Sequence, residues 1–180
     1  MIIFMGVAGS GKSVQGRLLA DEMGLPWLST GEFLRMLITG ERRQEMLAGK
    51  LLDDHEIISF VRKILTIIDT SQEFVLDGFP RTTAQADWLL NQVKHKQFKI
   101  NVVIHLKADE EVVKARLLGR GRQDDHDLAI KERFREYSQT ILPILEQFKG
   151  SGIKVIDIDG EAPSEFVHKE IVAAVRGHAQ

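Results

Sequence analysis

The sequence contains no cysteine. That excludes disulfide cross-links and thiolate zinc sites, and it agrees with life in a reducing compartment. An excess of one charge is missing as well: 24 Lys and Arg against 26 Asp and Glu leave a net charge of -2. So balanced a chain has no electrostatic footprint for nucleic acid or an anionic membrane, so basic residues that matter must be gathered locally. No apolar run approaches the roughly 20 residues of a membrane span. The opening "MIIFM" is too short for a signal-peptide core and lacks a basic leader. Internal repeats, low-complexity segments and linkers are also absent. The expectation is one cytoplasmic, monomeric domain over residues 1–180, with 43% apolar residues to build its core.

What is present is a series of short apolar runs bounded by turn residues. Ile2 to Met5, "LPWLS" (25–29), "FVLDG" (74–78), "INVVIHL" (100–106) and "IKVIDI" (153–158) read as strands buried on both faces. Between them the apolar spacing is helical. Ile130, Phe134, Tyr137, Ile141, Leu145 and Phe148 fall on one stripe of a long helix that Pro143 should bend. Strands alternating with helices predict a three-layer α/β fold with a five-stranded parallel sheet. The stretch from Gly31 to about Phe60 supplies helices without a strand, so it reads as an excursion from the sheet. In such sheets ligands sit beyond the carboxyl ends of the strands.

The first strand end carries "GVAGSGKS", residues 6–13, which satisfies the G-x-x-x-x-G-K-[ST] pattern. Gly6, Gly9 and Gly11 let backbone N–H groups turn inward around phosphate oxygens, with Ala8 and Ser10 between them. Lys12 then reaches the β and γ phosphates, and the following helix adds its positive dipole end. This is the signature of a P-loop fold and of a nucleoside triphosphate. The third strand ends in "LDGFPR" (76–81). Asp77 there is placed to reach Mg²⁺ or its water shell. Phe79 and Pro80 fix the direction of Arg81, and Gln85 lies four residues on, on the expected helical face. The second strand ends in "STGEFLR" (29–35), where Ser29 or Thr30 suits a helix N-cap and Glu32 a first turn.

The phosphate loop, "STGEFLR", "GKLLDDHEI" (49–57) and "DGFPRTTAQ" (77–85) resemble, in this order, the adenylate kinase family of nucleoside monophosphate kinases. The resemblance implies a P-loop NTPase core over 1–29, 60–116 and 128–180. It also implies a monophosphate-binding excursion over 30–59 and a lid over 117–127. By matching position, the loop residues, Ser13, Val14, Arg116 and Arg120 would hold ATP. Thr30, Gly31, Arg35, Leu52, Gly78, Arg81, Gln85, Arg122 and Arg133 would hold AMP. Lys12, Arg81, Arg120, Arg122 and Arg133 would act on the transferred phosphoryl group. The family pattern implies reversible transfer from ATP to AMP with Mg²⁺ at Ser13 and Asp77, and no zinc. An amide such as Gln85 can donate to and accept from an adenine edge together.

The charged turn "GRGRQDDHD" (119–127) is ordinarily a solvated surface. Here Arg116, Arg120, Arg122 and Arg133 can converge on one spot, with Asp124 and Asp125 to aim them or to cap a helix. A metal site at Asp124, Asp125 and His126 is disfavoured, because adjacent ligands on one turn rarely face one ion. Three departures from the family pattern stand out. Ser13-Val14 replaces the usual Gly-Thr, the segment between Arg35 and Asp77 is several residues shorter, and only Gly121 separates Arg120 from Arg122. The alternatives are a kinase for UMP, CMP or another small acceptor, and a nucleotide-dependent switch or assembly factor with weak turnover.

Overall fold

The computed structural model describes residues 1–47, 53–122 and 125–177. They form a five-stranded, all-parallel sheet in the order β2-β3-β1-β4-β5. The strands are β1 (Ile2–Met5), β2 (Trp27–Ser29), β3 (Val75–Asp77), β4 (Val102–Lys107) and β5 (Val155–Asp159). Each arises from one of the apolar runs, trimmed at the ends. β3 stops at Asp77 because Gly78 turns into the left-handed region at φ 81°.

Helices follow the strands. α1 (Lys12–Met23) leads out of β1; α2 (Thr30–Leu37), α3 (Gly40–Leu47) and α4 (Asp54–Leu65) lie between β2 and β3. α5 (Thr83–Lys94) joins β3 to β4, while α6 (Glu110–Arg120), α7 (Asp127–Glu136) and α8 (Leu142–Gly150) lead to β5, and α9 (Ser164–Arg176) follows. The period of two along β1 sends Ile2 and Phe4 to one face, against Leu19 of α1 and Ile171 of α9. Ile3 and Met5 go to the other, against Leu89 of α5 and Phe148 of α8. Each such fully buried side chain contributes roughly 1.5–3 kcal/mol. A third cluster of Val7, Val113, Leu117 and Ile130 pins α6 and α7 to the phosphate loop. The arginine-bearing helices are thereby fixed to the loop by packing.

The disturbance expected at Pro143 takes the form of a π turn over Tyr137–Ile141, where the Leu142 N–H reaches back five residues to the Tyr137 carbonyl. A proline ring collides with the carbonyl four residues before it, and widening that turn relieves the collision. No helix of the described residues is long and apolar enough to cross a membrane.

Candidate active site

β1 ends where Gly6 (φ 138°) begins the phosphate loop. A Cβ at Gly6 would run into the Leu106 carbonyl, so the loop can pass this close to β4 only as glycine. Gly11 precedes α1 in the left-handed conformation and offers no side-chain cap, which leaves the first-turn N–H groups of α1 to the cleft. Lys12 donates to the Val7 carbonyl at 2.7 Å. Burial holds its ammonium down to about 8, against the pull of Asp77 and with the help of Arg81.

Asp77, 2% exposed, accepts from the hydroxyls of Ser13 (2.6 Å) and Ser29 (3.0 Å) on one oxygen. Ser29 is also the N-cap of α2, accepting from the Glu32 N–H. Thr30 donates to the Gly78 carbonyl at 2.7 Å, tying the excursion to the "DGFPR" turn. Arg81 lies ahead of α5, not on it: its Nε bonds the Gly78 carbonyl at 3.1 Å and its N–H donates to Gln85 Oε1 at 2.8 Å. The two meet through that bond, a closer link than the shared helical face expected from their spacing.

The arginines divide into two groups. Asp125 accepts from Arg120 Nε (2.8 Å) and Nη2 (2.6 Å), from Arg133 Nη1 (3.0 Å) and from the Arg122 backbone N–H (3.2 Å). Burial pushes the Asp125 carboxyl up, but the arginine hydrogen bonds outweigh it and hold the group below the usual carboxylate range. Asp125 aims arginines, then, while the N-cap of α7 is His126, whose Nδ1 accepts from the Ala129 N–H. Arg116 does not join that group. It turns to the Gly160 carbonyl at 2.7 Å and the Glu161 carbonyl at 3.3 Å, on the β5 side. A second carboxylate, Glu32, bonds Arg35 at 2.7 Å and Arg122 at 3.3 Å. Burial opposes its ionisation, and both arginines overcome that.

All of these surround one cleft of about 510 Å³. Of the residues expected from the sequence, Gly6 sits behind the loop and Leu52 and Asp124 lie outside the described residues; the others line the cleft. Among the described residues no group of three or more His, Asp or Glu is gathered for a metal. The structure adds Gly160, Ala162 and Ser164 after β5, together with Gln15 and Glu136. Gly160 comes so near the loop that a Cβ there would stand 2.8 Å from the Ser10 carbonyl. Its signal was available, since the segment follows a strand end. Glu136 had none beyond its place one turn after Arg133.

Comparison with known proteins agrees with this geometry. A family model described as adenylate kinase matches residues 4–153. The chain is similar to the adenylate kinase of Corynebacterium urealyticum, 34% identical with 97% of this chain and 98% of that protein covered. It is similar to that of Leptospira biflexa, 35% identical over 97% and 98% of the two chains. The adenylate kinase of Prochlorococcus marinus is 35% identical, with 97% of each covered.

Proposed function

This chain belongs to the adenylate kinase family, and from that premise we propose how it transfers the γ-phosphoryl group of ATP to AMP to give two ADP. The observation that carries the reading is the single cleft in which the phosphate loop, Arg81 and the Asp125-bound arginines face one another. A phosphate oxygen of AMP forms the new bond to the γ phosphorus as its bond to the β–γ bridging oxygen breaks. No proton need move, so the protein's task is alignment and charge stabilisation.

In this scheme Gly9, Ser10, Gly11, Ser13 and the exposed Val14 hold the ATP phosphates, with Arg116 and Arg120 on the donor side. Ser10 Oγ is buried there without a partner among the described residues, which supports an anion-binding loop. Thr30, Gly31, Arg35, Gly78, Arg81 and Gln85 hold AMP. Lys12, Arg81, Arg120, Arg122 and Arg133 stabilise charge on the phosphoryl group in transit, as planar guanidinium groups do well. Ser13 and Asp77 present oxygen donors to the phosphate loop, a set that fits Mg²⁺ retaining most of its water. The chemistry such an ion supplies is neutralisation of charge on the phosphate oxygens. We treat 30–59 as the acceptor-covering part and 117–127 as a lid reduced to its arginines. A cytoplasmic monomer acting on small nucleotides completes the proposal.

An acceptor panel tests it: ADP formation from ATP with AMP, dAMP, UMP, CMP and GMP. AMP and dAMP should be preferred. Preference for UMP or CMP would remove the base assignment, and no turnover with any acceptor would favour a switch. Arg81→Ala should lower turnover at least a hundredfold while ATP binding persists.

A further inference from the structure

Gln85 is 2% exposed and lines the cleft with its amide. Its Oε1 accepts from the Arg81 backbone N–H, and its Nε2 donates to Asp54 Oδ1 at 2.8 Å. The Thr82 hydroxyl donates to the same Asp54 oxygen at 2.7 Å and accepts from the Gln85 N–H at 3.2 Å. A backbone N–H can only donate and an ionised carboxylate can only accept. Turning the amide over would set N–H against N–H and oxygen against carboxylate, so chemistry alone fixes which way it points. One Nε2 hydrogen and one Oε1 lone pair remain.

That remainder matters for the base. Adenine offers a bare ring nitrogen, N1, beside a 6-amino group, so the fixed amide can donate to the first and accept from the second. Hypoxanthine has nearly the same shape with the pattern reversed: its N1 carries a hydrogen and its 6-oxygen accepts. It would need the amide turned over, against both anchors. Leaving such groups unpaired in a buried site is costly.

We propose that Asp54 is a positioning residue for acceptor specificity: by fixing the Gln85 amide it makes the cleft select adenine over a 6-oxopurine. This rests on the reading of the cleft given above. Asp54 is the side-chain half of the clamp, and it comes from the start of α4. It has no duty as the helix cap, because Asp53 accepts from the His55 and Glu56 N–H groups.

The test compares kcat/KM for AMP and for inosine monophosphate in the parent enzyme, Asp54→Ala, Asp54→Asn and Gln85→Leu, with thermal melts alongside. Asp54→Ala should lower the AMP-to-inosine monophosphate ratio roughly tenfold. Asp54→Asn, whose amide oxygen still accepts, should keep the ratio within about threefold. Asp54→Ser replaces Asp54→Ala if the latter does not fold. A ratio unchanged in Asp54→Ala but lowered in Gln85→Leu overturns this inference alone, as does Asp54→Asn falling as far as Asp54→Ala. No AMP turnover in the parent overturns the functional reading, and this one with it.

Discussion

Asp125 and Glu32 each hold arginines that line the same cleft, one sealed from water and the other open to it. The Asp125 side chain has no exposed surface, and its shortest bond to Arg120 is 2.6 Å. The Glu32 side chain is 39% exposed, and its bond to Arg122 stretches to 3.3 Å. Water and salt screen the second pair, so it is worth little. Removing a partner from the first strands charge where water does not reach. The difference divides the arginines by task. Arg120 and Arg133 are placed before any substrate arrives, whereas Arg35 and Arg122 rest on a carboxylate that a phosphate can displace.

The largest break in this comparison is Asp125→Ala. It should lower the free energy of unfolding by about 3 kcal/mol, read from urea midpoints, while Glu32→Ala should change it by less than about 0.5 kcal/mol. Equal effects would erase the distinction. Acid titration sharpens the same contrast. The folded Asp125 carboxyl lies below its ordinary value, so its contribution is complete at neutral pH and fades as pH falls through the carboxylate range to that depressed value. Asp125→Asn should be flatter than the parent through that window in pH-dependent unfolding.

The next effect belongs to the phosphate loop. The Lys12 ammonium, held down to about 8, is already charged below that pH and loses its proton above it. Bound phosphates favour the charged form and raise its pKa, so binding takes up a proton above pH 8. ATP affinity by calorimetry should therefore be level below pH 8 and fall by up to tenfold per unit above it. Constant affinity from pH 7 to 10 would contradict the role of Lys12. The smallest effect is that of Glu32→Gln, which removes the competing carboxylate and should lower the KM for AMP about threefold. A rise in KM would make Glu32 a substrate contact and not a resting partner.

Much of this was legible in the sequence. Buried strands announce themselves as short apolar runs, and a glycine-rich loop leading to lysine has few other uses. The arginines of 116–133 were legible as a group but not in their division, because Arg116 and Arg120 share a helical face and only the β5 loop decides where Arg116 turns. The clamp on Gln85 was invisible: Asp54 is 31 residues away, and Asp53 beside it looks equivalent in one dimension. The π turn before Pro143 was foreseen only as a bend, since the hydrophobic stripe passes through it with little break in spacing. Gly160 was overlooked although the rule that ligands lie beyond strand ends points to it.

The most direct test of the account is turnover with ATP and AMP in Asp125→Asn and Glu32→Gln, measured side by side with the parent. If buried alignment of Arg120 and Arg133 drives transfer, Asp125→Asn should fall about a hundredfold in kcat, and Glu32→Gln should stay within a few-fold. Asp125→Asn within threefold of the parent, or Glu32→Gln falling as far, would contradict it.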